Sequence, residues 1–243
     1  MYKSEALVRA CKYAFVPNKL GYCGKSDFSK LCIDFIKNPK DTSIEQIVSH
    51  LKSFKAMYNY MSLIAKHNSL DVFSPEVIEA YWLGNSLLEN VPASAVKELI
   101  KKGFTEIPPE IRNKKAEFIK NGPLIQHSFH VLYVNFLNPR LKPNIENMNM
   151  CLVKYGEVLE TKANRIKVKS IKLYYALGEL KLCEKILFLE NPFNCTLLPG
   201  KLVSTHWGAV IEKISKANVK NIKRALFKNI ELTNSYLMTQ NHS

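Results

Sequence analysis

The sequence has no long apolar run. A membrane-spanning helix needs about 18 or more consecutive apolar residues, and no stretch of this 243-residue chain approaches that length. Lys3, Glu5 and Arg9 interrupt the first residues, where a secretory signal would need a continuous apolar region. We therefore expect a cytoplasmic protein that does not contact a membrane.

Familiar nucleotide-binding and catalytic motifs are also missing. The sequence contains no Walker loop, no GxGxxG segment after a predicted strand, no HExxH and no GxSxG. Paired carboxylates for acid/base catalysis cannot be picked out either. We therefore expect no nucleotide cofactor, and these absences favour a protein that is not an enzyme.

The six cysteines do not form CxxC pairs. In a chain of this size without an export signal, such spacing favours reduced thiols over a disulfide framework. We expect most of them to be small buried apolar residues.

Acidic residues are few. The chain has 35 Lys and Arg against 21 Asp and Glu, which gives a formal charge of +14. This charge makes nucleic acid a candidate partner. The lysines are dispersed through every segment, however, and no stretch interleaves clustered arginines with aromatic residues as a base-stacking surface would. A basic nucleic-acid-binding protein is therefore one alternative function.

Helical periodicity is typical of the first 120 residues. Apolar positions spaced for one helix face run from Ile44 to Ile64, and with a capping box of Ser43 and Gln46 they predict one continuous helix. Ser74 before Pro75 predicts the start of another helix. Proline and glycine breakers then occur at 108–109 and 121–123. We expect a helical domain over residues 1–122 and a second domain over residues 123–243.

Short apolar runs with alternating polar residues follow. Residues 127–134 are continuously apolar after the histidines and predict a buried strand, and further strands are predicted at 151–160, 165–175, 180–189 and 202–213. An amphipathic helix is predicted over 218–237. The expected fold class is α+β, with a helical N-terminal domain followed by a small antiparallel β-barrel and a C-terminal helix.

Two segments at the ends of this β-rich unit carry a family resemblance. Residues 150–158 read Met-Cys-Leu-Val-Lys-Tyr-Gly-Glu-Val, and residues 200–211 read Gly-Lys-Leu-Val-Ser-Thr-His-Trp-Gly-Ala-Val-Ile. They resemble the two signatures of the HypC/HupF family of hydrogenase-maturation chaperones. In that family the cysteine opens the mature chain, and Pro and Asp stand where this chain has Tyr155 and Lys201.

This resemblance has several implications. It implies a HypC-like, OB-like barrel in which Cys151 helps to hold iron and His206 lies beside it. It also implies a HypD-like maturation protein or a hydrogenase large subunit as partner.

The whole chain resembles a second family. Residues 17–24 (Pro-Asn-Lys-Leu-Gly-Tyr-Cys-Gly), 79–85 (Glu-Ala-Tyr-Trp-Leu-Gly-Asn) and 127–131 (His-Ser-Phe-His-Val) are similar to segments of an uncharacterised family of bacterial and archaeal proteins. No activity comes with that resemblance.

Cys151 and His206 are the first candidates for a metal site, because a thiolate is a soft ligand for iron and an imidazole can be a second ligand or an orienting partner. His127 and His130 would share one face of a helix but lie on opposite faces of a strand. Cys23, in a tight loop between Gly21 and Gly24, is either an exposed thiol or a small packed residue. Cys23, Cys151 and the three histidines could complete a Cys/His set for iron or zinc. The alternative interpretation is that these cysteines and histidines are core residues with a purely structural role.

We therefore expect an accessory or chaperone protein for metal-centre assembly that binds iron, or zinc, through Cys151 with His206. Nucleic-acid binding is the alternative. A further alternative is a thiol or metal-dependent enzyme using Cys23 or Cys151 with His127 and His130, which requires a concave pocket lined by at least two of these residues.

Overall fold

The computed structural model describes residues 4–25, 27–39, 44–120, 122–135, 145–162 and 164–240. The chain divides into two compact units, Met1–Val91 and Pro92–Ser243. Its class is α+β, as predicted. The domain boundary expected after residue 122 lies inside the second unit.

The described part of the first unit is helical. Its α-helices are α1 (Ser4–Lys19), α2 (Phe28–Lys37), α3 (Ile44–Lys52), α4 (Lys55–Asn68) and α5 (Pro75–Trp82), followed by a 3₁₀-helix at Ser86–Asn90. The predicted start of α5 is confirmed, because Ser74 Oγ accepts a hydrogen bond from the backbone N–H of Val77 at 3.4 Å.

The prediction of one continuous helix over 43–64 is wrong. The helix breaks between α3 and α4, where Phe54 has non-helical dihedrals (φ −78°, ψ 75°). Its ring is buried and packs edge-on against Phe28 at a centroid distance of 5.3 Å. Ser53 Oγ donates to the His50 carbonyl oxygen at 2.6 Å, which satisfies an acceptor near the end of α3. Ser43, the predicted capping residue, lies outside the described residues.

The second unit begins with α6 (Ala93–Gly103) and α7 (Pro109–Phe118). Its later helices are α8 (His127–Phe129), which continues as a π-helix over His130–Asn135, then α9 (Ile145–Cys151) and α10 (Lys216–Gln240). Within the part of the chain that the structure describes, no helix combines the length and the apolar character needed to cross a membrane.

The strand predicted at 127–134 is therefore wrong. A short, continuously apolar run does not distinguish a buried strand from a buried helix. Polar side chains at both ends supply the helical backbone with partners. Gln126 Oε1 accepts from Ser128 N at 2.8 Å, and the buried Lys115 ammonium donates to the carbonyls of Tyr133 (3.2 Å) and Val134 (2.5 Å).

Five strands of the second unit form a closed sheet, called the β-ring below. They are β1 (Lys154–Lys162), β2 (Arg165–Ala176), β3 (Glu179–Glu190), β4 (Leu202–His206) and β5 (Ala209–Lys213), and they are ordered β1-β2-β3-β5-β4 with β4 paired back to β1. Four of these pairings are antiparallel, and the ring closes between β3 and β5 by one parallel pair, Glu190 with Ala209. The sheet is therefore mixed and not purely antiparallel.

The single strand predicted at 202–213 is a hairpin. Trp207 and Gly208 connect β4 to β5, and both have positive φ (50° and 73°). Two positive φ values in a two-residue loop match the right-handed twist of the flanking strands. A tryptophan in this conformation is not a turn signal that sequence inspection recognises.

Aliphatic residues fill the inside of the β-ring: Val158, Ile166, Val168, Leu189, Leu197, Val203 and Val210. Gly156 lies two residues before Val158 and therefore faces the same side. A Cβ atom added to Gly156 would lie 2.3 Å from Val168 Cγ1 and 3.0 Å from the Lys169 carbonyl oxygen. The glycine of the first signature segment thus permits a close approach of β1 and β2.

Candidate metal centre

Three of the five predicted site residues lie together in the second unit. His127, Cys151 and His206 each offer a ligand atom, and these atoms lie within 4.8 Å of one another. Cys151 Sγ is 3.6 Å from His127 Nε2. The rings of His127 and His206 are nearly perpendicular, with centroids 5.3 Å apart. These three residues are called the metal triad below.

Cys151 is the last residue of α9 and is half-buried. It lies outside the predicted strand at 151–160, because β1 begins only at Lys154. The side chain of Asn149 joins α9 to β2: its Nδ2 donates to the Leu173 carbonyl at 2.6 Å, and its Oδ1 accepts from Leu173 N at 2.6 Å. The end of α9, and with it the thiol, is therefore fixed to the β-ring.

His206 is the last residue of β4 and is almost completely buried. The backbone N–H of Trp207 donates to the Met150 carbonyl at 2.7 Å. This hydrogen bond joins the residue after His206 to the residue before Cys151. The two signature segments, distant in sequence, therefore meet directly at the metal triad.

His127 is the first residue of α8 and is buried. Its Nε2 lies 2.9 Å from the Cys151 carbonyl oxygen. A carbonyl oxygen only accepts, so this contact requires the proton on Nε2. Asn229 of α10 supports the same region, since its Nδ2 donates to the Leu124 carbonyl (3.0 Å) and to Ser128 Oγ (2.9 Å).

Burial controls the charge of His127. Desolvation lowers its pKa from 6.5 to about 4, and the hydrogen bond to the Cys151 carbonyl opposes this shift only in part. His127 is therefore neutral at neutral pH, which is the form that binds a metal. Coordination through Nε2 would move the remaining proton to Nδ1, because the metal takes the lone pair of the coordinating nitrogen.

The separations in the metal triad fit a first-row transition metal. A tetrahedral zinc ion, with Zn–S of about 2.3 Å and Zn–N of about 2.0–2.1 Å, sets sulfur and nitrogen roughly 3.6 Å apart. That is the separation of Cys151 Sγ and His127 Nε2. Side-chain movements of about 1 Å would bring the widest pair into range. One thiolate and two imidazoles suit zinc or iron and leave a fourth coordination position for another ligand.

His130 is not part of the metal triad. Its ring lies against Phe104 at a centroid distance of 5.3 Å. Burial, and then repulsion from His127 and Lys115, lowers its pKa to about 3. Of the two histidines in the HxxH segment, only His127 belongs to the metal triad, and the second imidazole of the triad is that of His206 on β4.

Cys23 belongs to the first unit and is exposed. Gly21 and Gly24 both have φ of 77°, as the predicted tight loop requires, and Asn18 Nδ2 donates to the Cys23 carbonyl at 2.8 Å. All six cysteines are free thiols, as predicted. The expectation that most are buried is wrong, because only Cys11 and Cys32 are fully buried.

Sequence inspection missed the two asparagines that support the metal triad. Asn149 lies between Met148 and Met150, two residues before the thiol, and is 6% exposed. Asn229 is completely buried in the amphipathic pattern of α10. The sequence did contain a signal for Asn229, because a polar residue lies at a position that the helical periodicity assigns to the core. A buried amide requires fixed hydrogen-bond partners, so such a residue indicates a structural role.

One family model covers nearly the whole chain. The model of DUF6390, described as a family of unknown function, matches residues 4–240, and the chain belongs to this family. The expected membership of an uncharacterised family is thus confirmed. Searches of the curated proteins and of the solved structures find no match. The resemblance to HypC/HupF proteins rests on the two signature segments alone.

Proposed function

We propose that this member of the DUF6390 family binds a transition metal ion, zinc or iron, through Cys151, His127 and His206, and acts as an accessory protein in metal-centre assembly. The observation that supports metal binding is the convergence of one sulfur and two imidazole nitrogens within 4.8 Å. These ligands come from α8, α9 and β4, so they are brought together by the fold and not by local sequence.

The accessory role is supported by the signature segments and by the geometry of the thiol. Cys151 and His206 are the residues that the HypC/HupF resemblance marks, and the Trp207–Met150 hydrogen bond joins their segments. Cys151 is half-buried, so part of this residue is accessible to a partner. Three protein ligands leave a coordination position through which a partner could take the metal. A HypD-like maturation protein or a hydrogenase large subunit is the proposed acceptor.

Metal content of anaerobically purified protein tests the binding step. Wild type reconstituted with Zn²⁺ or Fe²⁺ should hold close to one ion per chain by mass spectrometry, and Cys151→Ala and His206→Ala should lose it. Cys195→Ala and His130→Ala are matched controls, because Cys195 is also a half-buried thiol of the second unit and His130 lies outside the metal triad. Equal metal content in Cys151→Ala and Cys195→Ala would refute the site.

Transfer tests the accessory role separately. The acceptor is an apo HypD-type protein or a hydrogenase large-subunit precursor. In the presence of a chelator, metal-loaded protein should deliver its ion to this acceptor faster than the free metal ion does. Retention of the ion with both acceptors would reject the assembly role while leaving the metal site intact.

A metal-dependent enzyme is the second candidate, because catalytic zinc sites also combine three protein ligands with an open position. A cavity of about 460 Å³ includes His206 in its lining but neither Cys151 nor His127, so it does not meet the requirement of a pocket lined by at least two of the candidate thiols and histidines. Zinc-dependent hydrolysis of simple esters, lost in His206→Ala, would favour this candidate over the accessory role.

A further inference from the structure

The cavity at one end of the β-ring is lined by three lysines and a buried threonine. Its volume of about 460 Å³ lies in the range of small-molecule sites. Lys154, Lys172, Lys185 and Thr205 are the residues concerned. They come from β1, β2, β3 and β4, so every strand of the ring except β5 contributes one of them.

The register places these four side chains on the inner face of the sheet. Directly opposed residues of an antiparallel pair project to the same face, and so do residues two positions apart. Lys154 opposes Thr205, and Thr205 lies two residues after the core residue Val203.

The other two lysines follow the same rule. Lys172 lies four residues after the core residue Val168 on β2, and Lys185 opposes Ser170, which is two residues after Val168. The lysines therefore continue the inner face of the β-ring beyond its aliphatic core, where the cavity opens.

Three positive charges line the cavity with little compensation by negative charge. Lys154 is 8% exposed and donates to the Asn149 carbonyl at 2.8 Å. Burial, and then repulsion from Lys172, lowers its pKa to about 8. Among the described residues, none of the three lysines forms a salt bridge across this cavity. Glu146 is the one carboxylate in its lining, and it is exposed.

Thr205 provides a second observation. Its side chain is 1% exposed, and its Oγ1 has no hydrogen-bond partner among the described residues. A buried hydroxyl without a partner costs free energy, and native structures usually satisfy such groups. Thr205 also lines the cavity, and rotation of its side chain towards a ligand oxygen would satisfy the hydroxyl.

We propose that this cavity binds a small organic phosphate. The phosphate would contact the ammonium groups of the three lysines and the hydroxyl of Thr205, and an apolar substituent would lie against Leu187 and Trp207, which also line the cavity. A phosphate monoester carries about −1.5 to −2 charges at neutral pH, so it offsets more of the lysine charge than a carboxylate does. The site shares only His206 with the metal triad and does not depend on metal binding.

Calorimetric titration of the chelator-treated 243-residue chain with phenyl phosphate tests this assignment. Wild type should bind, and binding should weaken with added salt. Lys172→Met and Lys185→Met should each weaken it by roughly tenfold, because each removes a charge-assisted hydrogen bond. Lys169→Met is the matched control: Lys169 lies on the outer face of β2, paired with Glu184 at 3.1 Å, and its loss should leave the affinity unchanged.

Thr205→Val separates ligand binding from folding. The substitution keeps the side-chain shape and removes a hydroxyl without a partner, so the thermal midpoint should stay the same or rise while phenyl phosphate binding weakens several-fold. Inorganic phosphate should bind more weakly than phenyl phosphate, and benzoate more weakly still. Equal effects of Lys172→Met and Lys169→Met, benzoate binding as tightly as phenyl phosphate, or no binding by wild type would each overturn the proposal. Metal content is measured independently, so failure here is distinguishable from failure of the metal triad.

Discussion

The Asn149 side chain connects the stability of the second unit to the geometry of the proposed metal site. Replacing Asn149 by Leu keeps a side chain of similar length but removes the two hydrogen bonds to Leu173, each 2.6 Å long. It also removes the bond from Nδ2 to the Ile145 carbonyl at 3.0 Å. The Leu173 N–H and C=O would then be buried without these partners.

Each backbone group buried without a partner costs about 1–3 kcal/mol. Two such groups give a loss of roughly 2–6 kcal/mol, and the added apolar surface of leucine returns about 1 kcal/mol of it. We therefore expect Asn149→Leu to lower the free energy of unfolding by about 3 kcal/mol. Urea denaturation measures this change. Metal affinity should also fall at least about tenfold, because Cys151 is two residues away and α9 is no longer fixed to β2.

Asn234→Leu is the matched control. Asn234 of α10 makes the same pair of bonds to Leu180 of β3, with Leu180 N to Oδ1 at 2.8 Å and Nδ2 to the Leu180 carbonyl at 3.0 Å. Asn234 is half-buried and is not near the metal triad in sequence. Asn234→Leu should therefore lower the free energy of unfolding less than Asn149→Leu does, and it should leave the metal affinity unchanged. A change below about 0.5 kcal/mol for Asn149→Leu, or equal metal affinity in the two variants, would refute the reasoning.

Further predictions concern packing, pH and partners. Gly156→Ala should cost roughly 1–3 kcal/mol by overpacking against Val168, and urea titration measures this loss. Metal-free protein should lose stability as pH falls from 6.5 towards 4, since unfolded His127 binds the proton that the folded form rejects, and His127→Gln should flatten the melting profile there. Burial lowers the pKa of Lys115 from 10.5 to about 7, so stability should rise with pH between these values, and Lys115→Met should remove that rise. A nucleic-acid-binding function predicts affinity for duplex DNA or RNA that falls steeply with salt; salt-independent or absent binding would reject it.

Local sequence was sufficient to locate elements that show alternating apolar and polar residues or begin with a short recognisable motif. The alternating patterns of β2 and β3 gave strand bounds within one residue of Arg165–Ala176 and Glu179–Glu190. The Ser74-Pro75 pair located the start of α5, and the signature segments marked Cys151 and His206. In each case the determining interaction lies within a few residues or in a short motif.

Tertiary structure decided what periodicity does not encode. Residues 127–134 are helical because Gln126 and Lys115 satisfy the ends of the helical backbone, and this brings His127 to Cys151, 24 residues away. The helix is interrupted between α3 and α4, where Phe54 packs against Phe28. The lysines of the cavity look dispersed in the sequence, and only the strand register collects them on one face. The sequence by itself therefore determined the fold class, most strands and the five candidate residues that include the metal triad. Which three of these residues converge, and where the cavity lies, depended on long-range contacts, because only the closed β-ring and the burial of α8 bring these side chains within reach of one another.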